Sequence, residues 1–394
     1  MSTRILASHG GVLPRPDDLQ AMADAGQDEA FERRLPSAVA EGVQKQIDGG
    51  MDIVNDGEYV KRTGFNGYIR ERIAGLEPRP AKPTPNAGSV WTTNRTGARD
   101  QNEFPGFHEA HRNNSSVTGS FVRVPGGGGW APGPRGAPQA CVGPIRYVGQ
   151  AAIKVDVEGL KAALAGKDVE GFMASLGPGT FTAGMLDEHY GSPEALLFGA
   201  AEALREEYRA IVEAGFILQI DEPELARAWQ FYPTMTMPEY QAYTALRIEA
   251  INHALEGISE DRVRLHFCWG SGHRPHKNDV PVGEIMPIVL GARARWIAYE
   301  ASNPRHEWEW VIWEDLKLPA GKVIMPGVVG HATDIVEHPE LIAQRLRRFA
   351  RLVGPEHVMA GTDCGLGTRV GHAEIAWAKL AAMAEGCTLA SARL

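Results

Sequence analysis

Three short stretches of this 394-residue chain hold the side chains with the most chemistry in them. Arg264-Leu265-His266-Phe267-Cys268-Trp269-Gly270 ends an apolar run with His266 and Cys268 two residues apart. Strand side chains alternate, so an imidazole and a thiol at that spacing face the same side and can grip one ion. Trp296-Ile297-Ala298-Tyr299-Glu300 ends the next run with a carboxylate. Met359-Ala360-Gly361-Thr362-Asp363-Cys364-Gly365 ends the last run with a second thiol. One imidazole, two thiols and one carboxylate compose a tetrahedral zinc donor set. Alone, His-x-Cys is weak: a free cysteine is equally at home in a core, and a carboxylate after a strand also serves as a salt-bridge partner.

Such a set works only if the strand ends converge. Short apolar runs alternate with longer helical patterns along most of the chain, the signature of βαβ units and a parallel sheet. The clearest strand candidates are Asp52–Asp56, Ala140–Pro144, Phe172–Leu176, Phe216–Asp221, Val263–Cys268, Trp296–Glu300, Val323–Val329 and His357–Asp363. Eight is the number a (β/α)8 barrel requires, and Arg4–Ser8 is a ninth candidate. The expected fold is therefore α/β, a single TIM-type barrel over residues 1–394. Its active site should lie at the C-terminal ends of the strands, where all three stretches fall.

Two helices read clearly between the strands. Ser192 can cap a helix opened by Pro193, with Leu197, Leu204, Tyr208 and Ile211 at helical spacing and Gly215 as its stop. Pro339 opens a second, with Ile342, Leu346, Phe349 and Val353 on one face and Arg345, Arg347, Arg348 and Arg351 on an expected solvated face. Residues 77–138 break the rhythm and are rich in Gly, Pro, Asn and Thr. Gly126-Gly127-Gly128-Gly129 lacks the following Lys-Ser/Thr of a phosphate loop. The stretch is expected to be a long insertion over one end of the barrel, as a lid or a homo-oligomer contact.

Composition narrows the function classes. Apolar residues make up 43 % and charged residues 23 %, enough for a sizeable core. Forty basic against forty-nine acidic side chains give a net charge of −9, which argues against a nucleic-acid partner. No apolar run approaches the roughly 20 residues of a membrane helix. Four cysteines without a CxxC pair make no disulfide framework. A cytoplasmic protein acting on small molecules is the expectation.

Beyond these features the chain resembles a known family. Leu13-Pro14-Arg15, Asp56-Gly57-Glu58, Gly143-Pro144, Gln219-Ile220-Asp221-Glu222-Pro223, His266-Phe267-Cys268 and Thr362-Asp363-Cys364-Gly365 follow one another as in the catalytic domain of cobalamin-independent methionine synthase. Its shorter relatives include epoxyalkane:coenzyme M transferase. The resemblance implies zinc held by His266, Cys268, Glu300 and Cys364. It also implies His331, in Pro326-Gly327-Val328-Val329-Gly330-His331, as the acid, and Glu58 and Asp221 as partners of a substrate ammonium, with Arg15 nearby. A helix-entry histidine and a self-contained charge pair are the plainer readings of these residues. Glu222, beside Pro223, reads as structural, and Cys141 and Cys387 as core residues.

Thiol alkylation suits such a site. The thiolate is the nucleophile, and a metal deprotonates a bound thiol near neutral pH. A tertiary amine or epoxide leaving group then needs a proton. Two departures bear on specificity. The family's Gly-Ser-Leu-Pro is Gly11-Val12-Leu13-Pro14 here, so a hydroxyl is missing. His273, His276 and Arg305 lie in segments following the metal motifs, and would suit an anionic substrate group or support the metal ligands. The leading expectation is a zinc-dependent transferase that moves a methyl or alkyl group from a methyl-folate-type donor to homocysteine. Thiol addition to an epoxide is the alternative, and a non-catalytic zinc-containing binding protein is a third reading.

Overall fold

The structure, a computed structural model, describes residues 4–64, 67–79, 99–113, 139–270, 275–367 and 369–394. Among these, ten strands alternate with helices: β1 Ile53–Val54, β2 Ile73–Pro78, β3 Gln139–Tyr147, β4 Glu170–Leu176, β5 Leu186–Asp187, β6 Ile217–Asp221, β7 Val263–Phe267, β8 Trp296–Tyr299, β9 Val323–Val329 and β10 Gly361–Thr362. Seven form one sheet in the order β1-β4-β6-β7-β8-β9-β10, every neighbouring pair parallel.

An eighth stave closes it. Ala7 bridges Ala360 in parallel, while the Ala7 carbonyl accepts the Asp52 N–H at 2.9 Å. The Arg4–Ser8 stretch thus lies between the last stave and the first, and the sheet is a closed (β/α)8 barrel. Ala140–Pro144 is the candidate that does not belong. It lies in β3, which pairs antiparallel with β2 and parallel with β5 in a separate three-stranded sheet. An apolar run identifies a strand without identifying its partner, and Cys141 is accordingly a core residue of this smaller sheet.

The helices follow their sequence signals. Ser192 Oγ accepts the Ala195 N–H at 3.1 Å, capping Pro193–Glu213, which buries Leu197, Leu204, Tyr208 and Ile211. Pro339–Val353 ends at Gly354 with φ 94°, a conformation glycine adopts freely. One arginine of that helix departs from expectation. Arg345 is buried, pairing with Glu307 and donating to the Val328 carbonyl at 2.8 Å and the Ser302 carbonyl at 3.3 Å. Within the expected insertion, the helix Arg99–Glu103 docks through Arg99 on the Trp229, Tyr232 and Met235 carbonyls. Residues 80–98 and 114–138, with the four glycines, lie outside the described residues.

Ile53, Phe172, Ile217, Trp296, Ala298, Val323, Met325 and Met359 fill the barrel interior as one apolar cluster. Above it sits fully buried His9, whose Nδ1 accepts the Gly11 N–H at 3.3 Å while Nε2 faces Gln46 Oε1 at 2.8 Å. That pairing describes a neutral ring with its proton on Nε2. Burial, helped by the nearby Arg264 charge, lowers its pKa to about 4. The unfolded chain therefore takes up this proton below about 6.5 and the folded chain only near 4. Stability contributed by the neutral ring is complete above that window and lost as the pH falls through it. Urea midpoints of the wild type and His9→Asn should converge between pH 7 and 4; a constant difference would contradict this.

Candidate metal and catalytic site

The barrel brings the chemistry-bearing residues to one rim. Asp221 ends β6, His266 is the penultimate residue of β7 and Cys268 directly follows that strand, Glu300 follows β8, His331 lies two residues beyond β9, and Asp363 and Cys364 follow β10. Five consecutive staves thus deliver their C-terminal ends to one place. The loop Gly10–Val12 closes the circle. An added Cβ on Gly10 would meet the Cys364 backbone at 2.9 Å, and one on Gly365 would meet the Val12 side chain at 2.4 Å. The segment that lacks the expected hydroxyl is therefore packed against Cys364.

The two thiols touch. Their contact comes first, with burial and the Glu300 carboxyl behind it, in holding the Cys268 thiol well above its ordinary pKa. Burial, reinforced by neighbouring Asp363, pushes the Glu300 carboxyl up to about 7. His266 turns Nδ1 to Asp221 Oδ1 and Nε2 to the Asp363 carbonyl, each at 3.2 Å. Burial disfavours a charged ring there, yet Asp221, Cys364 and Asp363 outweigh it and raise the pKa to about 9. Buried His266, Cys268 and Glu300 with half-buried Cys364 offer the donor types a thiophilic dication takes. The Asp221–His266 contact is the usual orientation device for a metal-bound histidine. To ligate, Nε2 must give up its proton and the Asp363 carbonyl.

Among the described residues, the group whose ligand atoms all lie within 4.8 Å of one another is Glu300, His331 and Asp363; His266, Cys268, Glu300 and Cys364 do not come that close as a set. Asp363 is already committed. Its Oδ1 accepts the Ala301 and Ser302 N–H groups at 2.8 and 2.9 Å, and its Oδ2 accepts the Ser302 hydroxyl at 2.6 Å. It ties the loop after Glu300 to the loop of Cys364. His331 is 1 % exposed, and neither ring nitrogen has a hydrogen-bond partner. Burial first, then the charges of Arg369, His266 and His276, lowers its pKa to about 3. A cavity of about 320 Å³ is lined by Glu300, His331, Asn303, His276 and Arg305 among others.

The remaining expected residues fall in two places, Glu58, Asp221 and Arg15 around Lys61 and its loop, and His276 and Arg305 at the cavity. Glu58 is buried with φ 57°, and its Oε2 pairs with Lys61 Nζ at 3.0 Å. Lys61 also donates to the Ala174 carbonyl at 2.7 Å. Burial dominates in moving the Glu58 carboxyl up to about 7. Asp221 Oδ1 accepts the Gln219 amide at 2.8 Å as well as facing His266. Arg15 donates to the Lys61 carbonyl at 2.8 Å, holding the lysine's loop. His276 binds Asp279 at 2.6 Å with φ 52°, and exposed Arg305 donates to the Lys277 carbonyl at 2.6 Å. His273 lies outside the described residues. Glu222 is structural as expected, its oxygens taken by Gly179 N–H and the Thr180 hydroxyl.

Lys61, Asp363, Asn303 and His306 had no assigned role in the sequence reading. His306 stacks on Trp269 with ring centroids 3.7 Å apart and bridges Asp279 and Glu309. Asp363 stands in the quoted Thr-Asp-Cys-Gly motif, and Asn303 three residues after Glu300. The other two each join a partner three residues away to one distant in sequence, Glu58 and Ala174 for Lys61, Glu309 and Asp279 for His306.

The sequence model for the catalytic domain of the cobalamin-independent synthases matches residues 139–387, more than half of the chain. The chain belongs to that family. Curated relatives of this cobalamin-independent synthase domain are named methionine synthase. The protein from Saccharolobus solfataricus is 30 % identical over 217 residues, covering 53 % of this chain and 55 % of its own. The one from Thermococcus kodakarensis is 26 % identical over 213 residues, 53 % of this chain and 54 % of its own. The match thus spans about half the length of these relatives. Among solved structures, a B12-independent methionine synthase from Shewanella sp. W3-18-1, in complex with selenomethionine, superposes with a TM-score of 0.69. It is 20 % identical and covers 99 % of this chain and 98 % of its own. His266, Cys268, Glu300, His331 and Cys364 lie inside the family match, whereas Glu58 and Arg15 lie outside it. Among the described residues no helix is long and apolar enough to cross a membrane.

Proposed function

We propose that this protein transfers a methyl or alkyl group to the sulfur of a small thiol, with zinc held by His266, Cys268, Glu300 and Cys364. The observation that carries the reading is the touching pair Cys268 and Cys364 at the barrel rim, beside a cavity whose wall holds unpartnered His331. Zinc, when bound, supplies Lewis acidity that keeps a thiol deprotonated near neutral pH. The protein's own groups do the rest. The cavity walls exclude water and hold donor and acceptor in line. His331 carries the proton for the departing nitrogen or oxygen, and a developing negative charge on that atom favours the protonated ring.

Homocysteine is the proposed acceptor and a methyl-folate-type compound the proposed donor. Asp56, Glu58 and Asp221, all buried, surround Lys61 and interact with it. An ammonium brought by the substrate is proposed as a further partner of these carboxylates, beside Lys61 and the His266 ring on Asp221. The relatives' name points the same way. Arg305 and His276 on the cavity wall instead suit a sulfonate thiol and the epoxide reaction.

Metal content of the purified chain beside Cys364→Ser is the first test. About one zinc per chain is expected in the wild type, with the variant depleted. A thiol panel follows, with homocysteine expected to bind more tightly than 2-mercaptoethanesulfonate; the reverse order would transfer the proposal to the epoxide reaction. A zinc that no thiol perturbs would instead mark a purely structural metal.

A further inference from the structure

Glu300 has a place prepared for it that is made of protein donors. Its Oε2 accepts the Trp269 N–H at 3.1 Å, and its Oε1 accepts the side-chain amide of Asn303. The amide's orientation is fixed, because Asn303 Oδ1 accepts the Arg305 and His306 N–H groups at 2.8 and 3.0 Å. Only the NH2 end is then left to face Glu300. The residues before Asn303 are held as firmly: Asp363 takes the Ala301 and Ser302 N–H groups, and Arg345 takes the Ser302 carbonyl. Trp269 is fixed from the other side by its indole N–H on the Val280 carbonyl at 2.8 Å and by the stacked His306 ring. Both donors are therefore in position independently of Glu300.

The inference rests on the thiol-alkylation reading above and takes Glu300 as the ligand that would yield its coordination place to an incoming sulfur. We infer that the Trp269 N–H and the Asn303 amide form the receiving seat for the displaced Glu300 carboxylate, which makes Asn303 a positioning residue for thiol entry. The reason is the cost of a bare charge. Glu300 is 4 % exposed, and a carboxylate leaving a cation at that depth without donors would be a buried, uncompensated ion. Two hydrogen bonds to a charged acceptor remove most of that penalty. The seat stabilises the thiol-bound state and contributes nothing while Glu300 stays on the metal. Its loss is thus expected in thiol affinity and not in metal affinity.

The test uses the full chain loaded with cobalt(II), whose visible spectrum reports replacement of an oxygen ligand by sulfur. Homocysteine and 2-mercaptoethanesulfonate are the probes. Asn303→Ser keeps an oxygen for the turn at residues 303–306 but cannot reach Glu300. Asn303→Asp keeps the turn and sets a second carboxylate against Glu300. Thiol Kd is expected to rise about tenfold in Asn303→Ser and further in Asn303→Asp, the loss of one hydrogen bond to a charged group being of that order. Cobalt affinity and the thiol-free spectrum should be unchanged in Asn303→Ser. Equal thiol affinity in wild type and both variants overturns the seat alone. So does a fall in cobalt affinity of Asn303→Ser that matches its thiol defect. A wild-type spectrum indifferent to both thiols overturns the thiol-alkylation reading and the seat with it.

Discussion

His331→Ala is expected to slow alkyl transfer from a tertiary-amine or epoxide donor by about 10²- to 10⁴-fold, the usual worth of a positioned general acid. Thiol affinity and metal content should stay as in the wild type. The expectation rests on a ring that is 1 % exposed with both nitrogens unpartnered, on the wall of the 320 Å³ cavity. A purely structural histidine at that depth would have found a partner. Its low proton affinity, with a pKa near 3, means that the ring picks up its proton only when substrate adds negative charge nearby. The leaving group gives the discriminating measurement. A methylsulfonium donor departs as a neutral thioether and needs no proton, so the variant should transfer from it at close to the wild-type rate. An equal loss with both donors would show that His331 shapes the cavity and does not donate.

Arg72→Met is expected to cost about 3–5 kcal/mol of folding stability, the range for breaking a buried ion pair from one side. Arg72 Nη2 lies 2.5 Å from Asp156 Oδ2 and Nη1 lies 3.1 Å from Glu207 Oε2, and all three residues are buried. Tyr147 and Ser175 hydroxyls donate to Glu207 at 2.6 and 2.8 Å, so this cluster joins the small sheet at Tyr147 to the barrel at Ser175. Removing the guanidinium strands two carboxylates. Urea denaturation should show a lower midpoint with an unchanged slope. Changing Asp156 and Glu207 to apolar residues in the same chain should recover part of the loss. A cost under about 1 kcal/mol would mean that the carboxylates take up protons instead. Tyr68 carries the effect towards the rim, because its ring lies under both Arg72 and Lys61, with centroid distances of 5.0 and 4.6 Å.

Much of this could be read from the chain before its fold, for a local reason. A strand that ends in His-x-Cys or Asp-Cys-Gly states its own direction and the side its residues face, so His266, Cys268, Glu300 and Cys364 were legible as rim residues. Ala140–Pro144 was misplaced because hydrophobic alternation is the same in a barrel stave and in a separate antiparallel sheet. Arg4–Ser8 was undervalued because its pairing is made with residue 360 and with Asp52. Burial of Arg345 was hidden by neighbouring Arg347 and Arg348, which are half-buried, and Arg351, which is exposed. Glu58 read as a substrate group, while Lys61 on its carboxylate went unnoticed. An i, i+3 pair off a regular helix depends on the turn at Gly57 and on the positive φ of Glu58, which composition does not announce.

Because Ala7 seals the ring between Ala360 and β1, a chain emerging from the ribosome cannot close its barrel until residue 360 has been made. Until then the sheet from β1 onward is an open ribbon with two unsatisfied edges, which invites pairing with other chains. Contacts this remote in sequence also form slowly, since the long loop must be closed before they contribute. Cys268 is synthesised well before its partner Cys364 and waits in that open state as an unprotected thiol. Pairing of Cys268 with Cys364 is thus a late event of folding, and a nascent chain exposed to oxidant is at greater risk than the finished protein.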